Sequence, residues 1–344
     1  MSINTINIPG WQSFSPCQPH PNLLDTMSGH FYSPFGQTGW IINNPPKIKP
    51  SKPIAGWCSF YAFGRNINER KIISNAEILA KNISPPLDTY VVIDEGWCQW
   101  GNWNNPYTDK FPGGLKYLSQ KITDLGLFPA IWIAPFLTDQ PTKNRLKVLP
   151  YKYILDLENP DVFKDCLNSI ETLIKKYKFK FLKLDFLYAL HHLPKFTSGK
   201  IPDEILENFL STIKKTYPEI HINACGCPLG PAIGNCDSMR ISTDNFIPYL
   251  NRLWPINHLI CSHKLNQLEK NLKSRDHTRR FWLLDPDVFS CRNSTGLNHR
   301  QISRLSSAIR KAHGLYFLGD DLSQLSKFQM KTYIKPLFRD IITP

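Results

Sequence analysis

The sequence predicts an α/β protein, a (β/α)8 TIM barrel, and three observations lead there. From Ile54 onward, short apolar runs alternate with amphipathic stretches, and strands alternating with helices imply a parallel sheet. About eight such units occupy a length close to the ~250 residues that such a barrel takes. No Gly-rich dinucleotide fingerprint follows the first run, so a doubly wound open sheet is only the second choice. The 344 residues suffice for one large core with short additions.

Each element has its own signal. Residues 1–53 are rich in Pro, Asn, Gly and aromatics and lack helical periodicity, so a short irregular N-terminal extension is expected there and the barrel over 54–344. IAGWCSF (54–60) reads as the first strand, with a helix behind it over Asn68–Lys81. TYVVID (89–94) is the second strand, followed by a loop rich in glycine and tryptophan and a helix near Leu115–Leu125. FPAIWIAPF (128–136) is the third. Asn159-Pro160-Asp161 starts a helix that reaches Lys176 and leads into FKFLKLD (179–185). A helix over Asp203–Thr216 precedes EIHINAC (219–225), MRIST (239–243) and FWLLDPD (281–287). A last helix near Gln301–His313 leads to GLYFLGDD (314–321). There is no solenoid-period repeat and no low-complexity linker.

Composition narrows the function classes. An apolar content of 42% with 12% aromatics fits a soluble globular protein. The longest apolar run, around Phe128–Leu137, holds two prolines and is far too short to span a bilayer. The stretch MSINTINIPGWQSFSP lacks a charged segment followed by an apolar one, so no secretory signal is expected and a cytoplasmic location is. The nine scattered cysteines then read as reduced thiols, and the sequons at Asn82 and Asn293 carry no sugar. A net charge of +13 invites a nucleic-acid reading. Yet Lys175, Lys176, Lys214, Lys215, Lys270 and Lys273 are spread over helix faces, and no zinc finger, RNP motif or phosphate loop is present. The charge therefore reads as solvated surface, with no specific nucleic-acid partner and no membrane partner.

The chemistry centres on FLKLDFLY (181–188). Lys183 and Asp185 are two residues apart, so in a strand they share one face. Burying both is costly unless they pair or serve a substrate, and this stretch alone does not choose between a structural ion pair and a site. Other strand ends tip the balance: Trp57, Asp94-Glu95-Gly96-Trp97, Cys225, Arg240 to Asp244, Asp285 and Asp287, Asp320-Asp321. In a TIM barrel these ends converge on one mouth. Carboxylates meeting aromatics, a lysine and an arginine there suit glycoside cleavage, in which one acid protonates the leaving oxygen and another attacks the anomeric carbon.

These residues also carry a family resemblance through most of 54–321. Gly56-Trp57-Cys58-Ser59-Phe60-Tyr61 resembles GWCSWY, Ile93 to Trp97 resembles IDDGW, and Lys110 to Lys116 resembles KFPxGLK. Ile131 to Phe136 resembles GIWIAPF, Lys183-Leu184-Asp185-Phe186 resembles KLDF, and Cys225 to Pro228 with Asp237, Arg240 and Asp244 resembles CGGP…GxVDxMRIxxD. Asp285-Pro286-Asp287 and Gly319-Asp320-Asp321 resemble the later DPD and SDD segments. With eight pieces in the same order, the chain resembles the catalytic barrel of glycoside hydrolase family 36, the α-galactosidases and their raffinose- and stachyose-synthase relatives. The resemblance implies a retaining hydrolase of terminal α-galactosyl residues, with Asp185 as nucleophile and Asp244 as acid/base. It further implies sugar contacts from Trp57, Asp94, Glu95, Trp132, Lys183, Cys225 and Arg240, with a small galactoside as substrate and neither metal nor organic cofactor.

Plainer readings stand beside these. Asp285 and Asp287 read better as a helix cap or loop braces, and Asp320-Asp321 as a structural turn. Trp97, Trp100 and Trp103 fit either loop packing or an aromatic wall. Cys225 and Cys227 fit a small-residue strand end better than a redox pair, and His191-His192 lacks a third metal ligand nearby. Three departures from the family pattern matter. Glu95 stands where the second Asp is usual, residues 137–155 lack the usual Ser and His-Pro-Asp-Trp pattern, and the large flanking β-domains have only a remnant counterpart at Gly10 to Ser15. The alternatives are a raffinose-synthase type of galactosyl transfer and a catalytically weak sugar-binding barrel.

Overall fold

The computed structural model describes residues 52–82, 87–146, 149–193, 199–245 and 256–339. The Gly10–Ser15 segment, and all but the last two residues of the expected 1–53 extension, lie outside them. The strands are β1 (Ile54–Cys58), β2 (Thr89–Ile93), β3 (Phe128–Ile133), β4 (Phe181–Leu184), β5 (His221–Ala224), β6 (Ser238–Arg240), β7 (Leu283–Asp285), β8 (Val288–Phe289) and β9 (Leu315–Leu318). All nine are parallel and pair in the order β8-β9-β1-β2-β3-β4-β5-β6-β7. The two ends of that order, β7 and β8, are consecutive in the chain, separated only by Pro286 and Asp287. One broken stave therefore pairs with β6 through its first half and with β9 through its second, which curls the sheet into a TIM-like barrel. The break has a backbone signature: Asp287 sits at φ 74, in the left-handed region.

Helices α1 (Glu69–Asn82), α2 (Gly114–Asp124), α3 (Pro160–Glu171), α4 (Pro202–Thr216), α5 (Ile256–Arg275) and α6 (His299–Ala312) cover the sheet. Each buries one stripe, such as Ile72, Ala76 and Leu79 in α1 or Leu115, Leu118 and Ile122 in α2. Asn159 caps α3 by accepting from Asp161 N, with Pro160 at the first helical position. Between β5 and β6 only a four-residue turn of helix, Leu229–Ala232, fills the place of a full helix. The segment after Phe136 folds as a ribbon, with Leu137–Thr138 antiparallel to Tyr153–Ile154.

The barrel interior is layered. Below lies an aromatic floor in which the Phe181 ring stacks on His221 at 4.6 Å and meets Tyr90 at 5.2 Å and Phe317 at 5.8 Å. Gly56 makes room for it, since a Cβ there would lie 2.7 Å from both the Phe317 ring and the Tyr90 carbonyl. Above, the next positions on β4 and β5 are polar, Lys183 and Asn223, and so are Arg240 on β6 and Asp285 on β7 beside them.

Burial holds His221 neutral by lowering its imidazole from 6.5 to about 4, with its Nε2 2.8 Å from Ser238 Oγ. A depressed imidazole opposes folding when protonated. Its contribution is thus complete above pH 6.5 and is lost as pH falls toward 4. Linkage puts the loss at about 3 kcal/mol across that window. Urea midpoints at pH 7 and pH 4.5 should show the loss, and His221→Phe should flatten that part of the curve. An unchanged pH dependence in the variant would rule His221 out as its source.

Candidate active site

The C-terminal strand ends meet at one mouth. Asp185 follows β4, Cys225 follows β5, and Arg240 closes β6 with Asp244 four residues on. Together with Phe186, Tyr188, Gly226, Ser242 and Thr243 they line a narrow cleft of about 60 Å³, smaller than the ~300–1,000 Å³ usual for small-molecule sites.

Asp185 is held from two directions. Its Oδ2 accepts from Trp132 Nε1 at 2.9 Å and its Oδ1 from the main-chain N–H of Phe186 at 2.7 Å. To present that N–H the chain turns sharply, and Phe186 takes φ 55, a left-handed conformation that non-glycine residues avoid. Strained backbone of this kind clusters at binding and active sites, so Phe186 makes Asp185 a candidate. Gly226, at φ 57, completes the turn opposite, because a Cβ would press 2.9 Å from the Tyr188 ring.

Lys183, on the same face as Asp185, bonds Asp94 Oδ2 at 2.8 Å, with side-chain exposures of 12% and 3%. Burial works against its ammonium, yet the Asp94 carboxylate holds it well above its ordinary value. Asp94 is held on both oxygens: Cys58 Sγ donates to Oδ2 and Glu95 N to Oδ1, and its own N–H donates to Ser59 Oγ. Cys225 lines the cleft, with its thiol pushed far up by burial and then by Asp185. It stays protonated and is no nucleophile. All eight described cysteines are unpaired and buried.

Arg240 is the hinge of the second carboxylate group. One of its terminal nitrogens lies 2.8 Å from Asp244 Oδ1, 2.7 Å from Asp287 Oδ2 and 3.4 Å from the Tyr61 hydroxyl. Asp287 Oδ2 also accepts from Tyr61 at 2.5 Å and from Asn245 N at 2.7 Å. Burial pushes the Asp287 carboxyl above its ordinary range, against the pull of Arg240. Asp285 completes the group, with Oδ1 accepting from Asp287 N and Oδ2 from Asn223. Asp244 is the exposed member, its side chain 37% open to the cleft.

Trp57 lies elsewhere. Gly56 and Cys58 face the barrel interior, so alternation turns Trp57 outward. It is fully buried, edge-on to Phe63 at 6.2 Å, and its Nε1 donates to the Asp320 carbonyl at 2.7 Å. Expected to stack on or wall the pocket, it instead braces the strand. Glu95 sits beside the mouth but is occupied, since its Oε1 accepts from Arg65 Nε at 2.6 Å and Trp100 Nε1 at 2.8 Å. Burial raises its carboxyl, with Arg65 opposing. Trp97, Trp100, Trp103 and Trp132 form a contiguous wall with ring centroids 5.2–6.4 Å apart, so the tryptophan loop packs directly behind Asp185.

Asp320 is a buried brace, paired with Arg292 at 2.8 Å, and Asp321 caps the turn at Leu322 to Gln324. Asp287 caps no helix; it braces Asn245 while holding Arg240. The sequence reading passed over the role of Tyr61, although its place in an aromatic run after β1 was the available signal. Among the described residues no His, Cys, Asp and Glu side chains cluster to hold a metal, and no helix is long and apolar enough to cross a membrane.

No protein-family model matches the chain. A probable α-galactosidase of Dictyostelium discoideum is 38% identical over 80 residues, which are 22% of this chain and 20% of that protein. Among solved structures, TtGalA, an α-galactosidase from Thermus thermophilus in complex with p-nitrophenyl α-D-galactopyranoside, superposes with a TM-score of 0.69 at 21% identity, over 86% of this chain and 63% of that one. The family 36 α-galactosidase AgaA of Geobacillus stearothermophilus gives 0.63 at 16% identity, over 92% and 45%. These three proteins are α-galactosidases, hence glycoside hydrolases, and this chain shares the barrel of the two solved ones while spanning less than two thirds of the length of each of the three.

Proposed function

We propose that the chain cleaves terminal α-galactosyl residues from small galactosides by double displacement. The observation that carries the reading is the placing of Asp185 and Asp244 on one cleft, the first pinned by two N–H donors and the second open beside Arg240. An Asp185 oxygen attacks the anomeric carbon while Asp244 gives its proton to the departing oxygen. The glycosyl-enzyme is then attacked by water, whose proton returns to Asp244 as the bond to Asp185 breaks. Lys183, Asp94 and Arg240 hold sugar hydroxyls, and Cys225 lines the sugar's edge. Two carboxylates supply the chemistry.

The test is release of nitrophenol from the α-D-galactoside, alongside the α-glucoside and the α-N-acetylgalactosaminide, with the first-formed sugar followed by proton NMR. Selective galactoside cleavage with the α-anomer appearing first is expected. A β-anomer first, which requires single displacement, would reject the mechanism, and inertness of the folded protein to all three sugars would reject the activity.

A further inference from the structure

Helix α5 comes within reach of the mouth, and its contribution is not part of the two-carboxylate chemistry. Its buried stripe of Cys261, Leu265, Leu268 and Leu272 seats it against the barrel. Two polar side chains seven residues apart, and so on the same face, reach the segment that carries Asp244. Asn271 Nδ2 lies 3.4 Å from Ser242 Oγ, and Lys264 Nζ donates to the main-chain oxygen of Asp244 itself. The next residue is tied from the other side, where Asn245 Nδ2 donates to the carbonyls of Pro286 at 3.0 Å and Val288 at 3.1 Å. The backbone of Asp244 is thus clamped between α5 and the broken stave.

We propose that Lys264 is a positioning residue for the proton donor: its ammonium pins the main chain of Asp244 and so sets the direction in which that carboxyl presents its proton to the departing oxygen. Lys264 is half-buried and, among the described residues, forms no ion pair with a carboxylate. A lysine desolvated to that extent is costly without a return, and here its charge-assisted bond goes to the carbonyl of the one residue whose side chain must aim accurately. Among the described residues the Asp244 carboxyl bonds one side chain, Arg240, through Oδ1. The carboxyl's direction therefore depends on the main chain from which it hangs.

The proposal rests on Asp244 being the acid of the proposed reaction, and the experiment separates the two. Lys264→Met, Lys264→Arg and Asp244→Asn, each in the full chain, are assayed on p-nitrophenyl α-D-galactoside, whose leaving group needs little protonation, and on methyl α-D-galactoside, whose leaving group needs a full proton. Well-placed acid catalysis contributes ~10²–10⁴-fold. Lys264→Met should therefore lose at least about tenfold in kcat/KM, which reports the leaving-group step alone, on the methyl galactoside, stay within about threefold on the nitrophenyl one, and be largely rescued in Lys264→Arg. Lys264→Leu, which likewise has no donor, replaces the methionine variant if that one does not fold. Equal losses on both substrates, or none, overturn the proposal while Asp244→Asn still shows the leaving-group selectivity. Absence of that selectivity in Asp244→Asn overturns the acid assignment itself and the positioning role with it.

Discussion

Asp185→Gly should lose galactosidase activity by at least about 10³-fold, equivalent to ~4 kcal/mol of transition-state stabilisation. In the proposed reaction no glycosyl-enzyme forms without the Asp185 carboxylate, and neither Trp132 nor the Phe186 N–H can substitute, because both are donors. The space left by the side chain opens on the cleft. Sodium azide added with the nitrophenyl galactoside should therefore restore turnover and yield the β-galactosyl azide, the product of attack from the face Asp185 occupied. Full activity in the glycine variant would end the case for Asp185. Rescue yielding the α-azide would place the missing group on the other face.

The second large effect is on stability. Asp287→Ala should lower the unfolding free energy by about 3–5 kcal/mol, the range for breaking a buried ion pair on one side. Arg240 and Asp287 are each 3% exposed. Removing the carboxylate leaves a guanidinium, the Tyr61 hydroxyl and the Asn245 N–H without their shared acceptor. It also frees the break between β7 and β8, where the left-handed turn at residue 287 joins the halves of the closing stave. Guanidinium unfolding followed by tryptophan emission measures the change. A shift below about 1 kcal/mol would mean that Arg240 finds another anion or water, and that the stave closes without this pair.

Much of this architecture was legible in the chain because it rests on local signals. β1, β2 and β9 are buried throughout, so they read as short apolar runs. α3 declares its start through Asn159 and Pro160. Helix α5 was not delimited, because its buried stripe is diluted by polar neighbours and by Leu259, which is 69% exposed. The two-residue β8 is too short to carry a pattern, and DPD reads as a strand end instead of a break. In the cleft, the spacing of Lys183 and Asp185 is enough to put them on one face and the places of Asp94 and Asp244 after strands enough to put them near one mouth, whereas their roles toward a sugar come from the family resemblance. Asp287 and Tyr61 act together only because the barrel closes, bringing residues 226 positions apart into contact, and no local pattern encodes that meeting. The sugar contact expected of Trp57 comes from the family resemblance, whereas alternation with Gly56 and Cys58 turns its side chain outward.

The wall of four indoles behind Asp185 has an optical consequence. Indole emission depends on the local field, and the Trp132 N–H is bonded to the Asp185 carboxylate while its ring touches Trp100 and Trp103. Any event that neutralises or displaces that carboxylate perturbs Trp132 first, and energy exchange among neighbouring rings spreads the change through the group. The protein thus carries a built-in fluorophore array at its mouth, able to time the filling and emptying of the cleft without a dye, a label or a coloured substrate.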